Sequence, residues 1–321
     1  MSNRINFANL CGRVVAVFSA AMLLHCASAL ATEAANRLSS NKLASNRLAA
    51  SRLAADRLAA NQLEADRPAT DRLDANGRAD ERPASVRLEV NGDTAAMLHT
   101  EEGREVYSYI IGCALGQNTK IEADVPEARD TAPPDTLYSC KNGRCAFSGS
   151  IGLAEHWIDR PLNRNGQRWV TACLLSRVNH FGVTEIFSMR GAASALSVSP
   201  REAEQYSLQE GAFYGNIFSD DADAPLDWNA CRGTDKAATP NRGELAMRDC
   251  TEPDPDDRAH TVCGFKYAGD CGATRAFSPR PACATFDPED GTFGECLDMK
   301  AEGHDSSIEL YRQVITTYVK P

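Results

Sequence analysis

The cysteines are the feature that most constrains the fold of this chain. Of 12 cysteines in 321 residues, ten lie between positions 113 and 296. One pair is close in sequence, within the segment CKNGRC, and no two histidines stand at zinc-ligand spacing. Structural zinc sites need several ligands at short spacing, so we predict five disulfides and no metal site. The ten cysteines are Cys113, Cys140, Cys145, Cys173, Cys231, Cys250, Cys263, Cys271, Cys283 and Cys296.

Residues 1–31 have the features of a secretory signal peptide. Two arginines precede a mostly apolar stretch over residues 14–24, and overlapping A-x-A cleavage motifs follow within residues 27–31. This stretch is shorter than the roughly 20 residues that span a membrane. A lipid anchor at Cys26 is the weaker alternative, because His25 stands where lipoprotein signals have a small residue. We predict an exported protein, periplasmic, cell-surface or extracellular, with no transmembrane segment in its mature chain.

Residues 36–90 repeat with a period of five, beginning NRLSS-NKLAS-NRLAA-SRLAA. On a helix five residues turn by about 500°, so the leucines form no stripe. On a strand an odd period sends them to alternate faces. Two interpretations remain: a low-complexity tether and a pentapeptide solenoid. We favour the tether, because the residue two before nearly every leucine is Asn, Asp or Ser.

These observations divide the chain into a signal peptide over 1–31, a pentapeptide array over 32–90 and an acidic domain over 91–321. The domain holds 22 Lys and Arg against 35 Asp and Glu. A nucleic-acid partner would need clustered basic residues, so this balance argues against one. The domain is long enough to bury a substantial core.

Helical signals are concentrated in the N-terminal half of the domain. Thr100 is a candidate N-cap for a helix over 101–115, and Asn163 or Asn165 for one over 166–180. Because Cys113 and Cys173 fall on the apolar faces of these helices, we predict that they form a disulfide with each other. A short third helix should begin after Ser199, where a capping box stands.

Strand signals dominate the rest of the domain. Residues 218–262 are rich in Asp, Pro and Gly and predict a loop. The fold class that results is α+β, a disulfide-cross-linked domain with helices mainly in its N-terminal half and antiparallel strands after them. The segments with strand character are 183–189, 207–218, 262–267 and 308–319.

Catalytic signals are weak. The sequence lacks G-x-S-x-G, H-E-x-x-H, G-x-G-x-x-G and G-x4-G-K-[ST] motifs, and we expect no cofactor. The best candidates are Glu155, His156 and Asp159, since the two carboxylates stand one helical turn apart. The alternative, which we favour, is a solvated helix end beside Trp157, an aromatic anchor in the core.

Aromatic residues on a predicted strand and acidic clusters in loops are two candidate binding sites. Phe213, Tyr214 and Phe218 are candidates for a sugar or peptide platform, although aromatic residues on strands more often pack in the core. Acidic clusters at 220–227, 254–257 and 287–290 have the ligand type that calcium prefers. None of them has EF-hand spacing, so we favour solvated loops.

The array, followed by EGREVYSYIIGCAL, IGLAEHWIDRPLNRNGQRWVTACLLSRVN, QEGAFYGNIF and QVITTYV, resembles one group of exported proteins. These are uncharacterised proteobacterial and myxobacterial proteins with N-terminal NRLAA or NGLST arrays. The resemblance implies export and a shared architecture, and it carries no catalytic residues. Together with the motifs it favours a non-catalytic binding or structural protein with an envelope or extracellular ligand, protein or glycan. The alternative is a secreted hydrolase that uses acidic residues.

Overall fold

The structure is a computed structural model of the chain. The predicted signal peptide and array residues 40–83 lie outside the residues that it describes. The described residues are 33–36, 38–39, 84–88, 97–133, 137–180, 185–218, 227–233, 248–272, 274–275, 278–297 and 309–321.

Helix α1, Glu101–Ala114, begins where the sequence predicts. The Gly103 amide donates to Thr100 Oγ1 at 2.9 Å, which satisfies one of the free amides of the first turn. The helix ends one residue before the predicted boundary and buries most of its length, including Cys113.

Helix α2, Arg164–Ser176, starts with Asn163 as its cap, since Asn163 Oδ1 accepts from the Gly166 amide. The predicted end at residue 180 is wrong: after Ser176 the chain leaves the helix, and Val178 pairs with another strand while its side chain is buried. Helix α3, Pro200–Gln205, has the predicted cap, Ser199.

The strands form one large sheet and several smaller ones. In chain order the strands are β1 Glu33–Asn36, β2 Leu38–Ser39, β3 Ala84–Leu88, β4 Thr119–Asp124, β5 Tyr138–Lys141, β6 Arg144–Ser148, β7 Val178–Asn179, β8 Glu185–Arg190, β9 Leu208–Asn216, β10 Asp227–Arg232, β11 Lys266–Asp270, β12 Thr274–Arg275, β13 Ser278–Pro281, β14 Cys283–Asp287, β15 Thr292–Leu297, β16 Leu310–Tyr311 and β17 Ile315–Val319. The large sheet has the order β1-β8-β17-β9-β10-β11 and is antiparallel except between β10 and β11. A four-stranded sheet has the order β3-β4-β6-β5, a three-stranded sheet the order β14-β15-β16, and β2-β7 and β12-β13 are pairs.

Three strand predictions are corrected. The segment predicted as loop over 218–262 contains β10, a strand inside the large sheet. The strand predicted over 262–267 begins only at Lys266, because Gly264 occupies a turn with φ 81°. The strand predicted over 308–319 is two strands, β16 and β17, which belong to different sheets.

The large sheet is covered on both faces. Phe213 and Ala230 point into a core shared with α1 and α2. Their neighbours along the strands, Tyr214 and Cys231, point into a second core that includes Phe293 of the three-stranded sheet. Successive side chains on a strand alternate between faces, so β9 and β10 contribute to both cores.

Five disulfides cross-link this mixed α and β fold. Cys113–Cys173 joins α1 to α2, which confirms the predicted pair. The others are Cys140–Cys145, Cys231–Cys271, Cys250–Cys263 and Cys283–Cys296. Among the described residues no helix is long and apolar enough to cross a membrane.

Candidate functional site

The predicted candidates lie on a single turn of 3-10 helix, Glu155–Ile158, with Asp159 at its end. Trp157 is fully buried, as an anchor of this turn would be. Glu155 and Asp159 are exposed. Exposed carboxylates remain hydrated and lack the low-dielectric surroundings that catalytic acids use.

The Glu155 carboxylate lies close to the backbone of Gly116. A Cβ atom built on Gly116 would come within 2.5 Å of Glu155 Oε1, so Gly116 permits this approach.

Partial burial, and then the positive charge of Arg160, lower the pKa of His156, while a hydrogen bond with Asn163 opposes them. His156 is therefore favoured as a neutral side chain beside the start of α2.

The aromatic candidates are core residues. Phe213 and Tyr214 have no exposed surface, and Phe218 is 4% exposed. Phe213 packs edge-on against Phe265, with ring centroids 6.2 Å apart. None of the three is available to a sugar or peptide, which supports the core interpretation.

A buried ion pair that sequence reasoning missed joins Glu210 of the large sheet to Arg248, which lies outside the strands. Glu210 on β9 accepts from Arg248 Nε at 2.8 Å through Oε1 and from Thr317 Oγ1 at 2.7 Å through Oε2. All three residues are buried. Arg248 also donates to the Ser176 carbonyl at 2.6 Å, and its guanidinium carbon lies 3.7 Å above the Phe187 ring centroid. Hydrogen bonds and stacking thus compensate for much of the lost hydration of the two charges.

Asp249, next to Arg248, is the most perturbed carboxyl group in the described residues. Its φ is 44°, in the left-handed region that few residues other than glycine adopt. Burial, and then the negative charges of Glu252 and Glu210, raise the pKa of Asp249 from 3.8 to about 6. A strained backbone and a perturbed carboxyl group at one position are features of functional sites.

Glu252 lies near Asp249, Asp270 lies near Glu252, and both Glu252 and Asp270 are bound to Arg232. Arg232 Nε donates to Asp270 Oδ1 at 2.8 Å, and Arg232 Nη1 lies 3.4 Å from Glu252 Oε2. Burial raises the pKa of Glu252, and Arg232 partly offsets this effect. We call Asp249, Glu252 and Asp270 the carboxylate rim. It offers one group that exchanges a proton near pH 6 beside two that an arginine neutralises.

The sequence carried only a faint signal for this site. Glu210 stands in the apolar run QEGAFYGNIF, where a charged residue is unexpected, but Arg248 is 38 positions away. No local pattern links residues at that separation. The carboxylate rim itself is assembled from β11 and the segment around the Cys250–Cys263 disulfide, and the arginine that binds two of its members lies on β10.

Two of the three acidic clusters that are candidate calcium sites, 254–257 and 287–290, cap their own turns. Asp254 Oδ1 accepts from the Asp256 amide, and Asp287 Oδ1 accepts from the Glu289 amide. Asp257 Oδ2 lies 2.8 Å from His260 Nδ1. The acids at 220, 221 and 223 lie outside the described residues. Where the structure describes the chain, the one grouping with metal-ligand geometry is Cys231, Cys271 and Cys283, whose sulfurs are in disulfides.

No known protein family, curated protein or solved structure matches this chain.

Proposed function

We propose that this chain is an exported, non-catalytic binding or structural protein that acts at the cell envelope or outside the cell. The observation that carries the proposal is the pairing of the domain's ten cysteines into five disulfides. Such bonds persist in oxidising compartments and are rare in reducing ones. The predicted signal peptide supports the same location.

The contacts of the carboxylates with Arg248, Thr317 and Arg232 support a non-catalytic role. Both oxygens of Glu210 are occupied by hydrogen bonds from Arg248 and Thr317. Glu252 and Asp270 are both bound to Arg232. Carboxylates engaged in this way stabilise the fold and are poorly placed to bind a substrate.

Exposed apolar side chains support binding of a protein or glycan. Ile186 is 49% exposed and Phe286 is 46% exposed. Phe286 packs against the buried Phe293, with ring centroids 5.0 Å apart, so its ring is held in place at the surface. A fixed, exposed aromatic ring is typical of recognition surfaces.

Cosedimentation with cell envelopes isolated from the source organism tests this proposal. We expect the wild-type protein to sediment with the envelopes, and Phe286→Ser or Ile186→Ser to lower the bound fraction. Lys141→Ser, at an exposed polar position on β5, is the control and should bind like the wild type. Absence of wild-type binding, or equal binding by all variants, would contradict a binding role for these side chains.

A second candidate function, a secreted hydrolase, is favoured by one observation, the strained Asp249 with its raised pKa. A carboxyl group with a pKa near 6 is suited to general acid catalysis. Substrate screening of the wild type and Asp249→Asn tests it. A hydrolytic activity that Asp249→Asn loses while remaining folded would replace the binding proposal.

A further inference from the structure

Two disulfides of different sheets lie in direct contact. Cys231–Cys271 joins strand β10 of the large sheet to the residue that follows β11, and Cys283–Cys296 joins β14 to β15. The Sγ atoms of Cys231 and Cys283 are 3.4 Å apart. The Sγ atoms of Cys231, Cys271 and Cys283 all lie within 4.8 Å of one another.

We propose that these two disulfides form one thiol–disulfide exchange unit with a second stable connectivity, Cys231–Cys283. Disulfide exchange proceeds by attack of a thiolate on a neighbouring disulfide sulfur. The required sulfur atoms are already at contact distance inside the folded domain. The Sγ atoms of Cys271 and Cys283 lie within 4.8 Å of each other, too close for the three sulfurs to be collinear, so the attack also requires the Cys283 side chain to rotate into line with the Cys231–Cys271 bond.

An external dithiol supplies the two electrons that the reaction needs. The dithiol reduces Cys283–Cys296 and becomes a disulfide itself, which leaves two thiols in the protein. The Cys283 thiolate then attacks Cys231 Sγ, the Cys231–Cys271 bond breaks, and the electron pair leaves on Cys271 Sγ, which takes up a proton. The products are the Cys231–Cys283 bond and thiols at Cys271 and Cys296.

Two physical effects oppose each other in this step. All four cysteines are at most 1% exposed and lie among apolar side chains. Such surroundings disfavour the thiolate and slow the attack. Proximity acts in the other direction, because the attack is intramolecular between atoms that are already in contact. We therefore expect the exchange to take minutes to hours, as uncatalysed disulfide rearrangement does.

The two connectivities restrain different parts of the fold. Each observed bond is confined to one sheet: Cys283–Cys296 links β14 to β15, and Cys231–Cys271 links β10 to the end of β11. The Cys231–Cys283 bond would link the large sheet to the three-stranded sheet and release the cross-strand link between β14 and β15. Phe286 lies on β14, so a reductant would change the restraint on that surface. This last consequence rests on the proposed function; the exchange itself does not.

The variant Cys271→Ser tests the exchange, because it leaves a thiol at Cys231 beside the intact Cys283–Cys296 bond. After hours in buffer, acid quenching, alkylation and peptide mass mapping should find the label shifted in part from Cys231 to Cys296, with a Cys231–Cys283 cross-link. Cys263→Ser is the matched control: its free thiol should stay on Cys250. Label on Cys231 alone, or label spread to Cys113 and Cys173, would overturn the proposal.

The wild-type protein provides a second measurement if Cys271→Ser does not fold. Stepwise reduction by a dithiol, followed by the same mapping, should detect Cys231–Cys283 among the molecules that have lost one disulfide. Its absence at every reductant concentration that yields such molecules would also overturn the proposal. Neither outcome depends on the envelope-binding assay, so the two proposals fail separately.

Discussion

At the scale of single residues, Asp249 shows how a folded environment changes a carboxyl group. Its pKa rises from 3.8 to about 6, chiefly because the group is partly buried. The folded state therefore binds this proton more tightly than the unfolded chain does. The sign follows: the contribution of Asp249 to stability falls as the pH rises from about 4 to 6 and is constant above that range.

Asp249→Asn should remove this pH dependence while retaining a residue that accepts the left-handed backbone. A shift of one pKa unit corresponds to about 1.4 kcal/mol, and partial exposure reduces the effect. We expect a gain of about 1 kcal/mol in the free energy of unfolding at pH 7 and none at pH 3.5. Urea denaturation at both pH values measures it, with the exposed Asp256→Asn as control. Parallel stability curves for Asp249→Asn and the wild type would contradict the raised pKa.

Trp157 provides a second prediction at this scale. Its side chain is fully buried, so Trp157→Ala should lower the free energy of unfolding by about 3–5 kcal/mol. Glu155→Gln changes an exposed neighbour and should stay within about 0.5 kcal/mol of the wild type. Urea unfolding of both variants is the measurement. A loss below about 1 kcal/mol for Trp157→Ala would show that it does not anchor this turn.

At the scale of elements, the disulfides differ in the length of chain that they close. Cys113 and Cys173 are 60 positions apart, whereas Cys140 and Cys145 are five apart. In the chain-entropy account the stabilisation grows with loop length, to about 4 kcal/mol for the first pair and about 2 kcal/mol for the second. Replacing each pair by alanines and comparing urea midpoints tests this order. Equal losses would mean that packing, and not loop closure, determines the effect.

The elements that the sequence predicted are those with local signals. Thr100, Asn163 and Ser199 each cap the helix expected of them. Strand β10 was missed because it is covered on both faces, so the segment DWNACR shows no alternation of polar and apolar residues. The segment CKNGRC also contains a turn signal for the hairpin β5–β6, which the predicted strands do not include. Its Asn-Gly turn has positive φ at both residues, which only a few residue types accept.

The candidate site was less predictable than the fold. Glu210, Arg248 and Thr317 come from positions that are far apart in sequence and meet only in the folded domain. A single sequence contains no repeat or spacing that indicates which distant residues come into contact. The predicted trio of Glu155, His156 and Asp159 was selected by local spacing alone, and the structure shows two of its members exposed.

At the scale of the whole molecule, both ends of the array pair with the sheets of the domain. Strand β1 pairs with β8 of the large sheet, and β3 pairs with β4 of the four-stranded sheet. Removing β1 would leave β8 as an edge strand that carries the exposed Ile186. Unpaired edges with apolar side chains promote association between copies.

Deleting residues 32–40 should therefore increase self-association, measured by light scattering across a concentration series. Deleting residues 51–70 removes four repeats and keeps β1, β2 and β3, so this variant should scatter like the wild type. An equally monomeric protein after both deletions would show that β1 does not protect the edge of β8.

The central claim is that the chain is exported and works in a disulfide-bonded form. Intact-mass and N-terminal analysis of the protein from its source organism, alkylated under denaturing conditions without reductant, tests it most directly. We predict a chain that begins at Leu30 or Thr32, carries no alkyl label and is lighter than its reduced form by ten hydrogens, two for each of five disulfides. A cytoplasmic chain that retains residues 1–31 and carries several alkylated cysteines would contradict the claim.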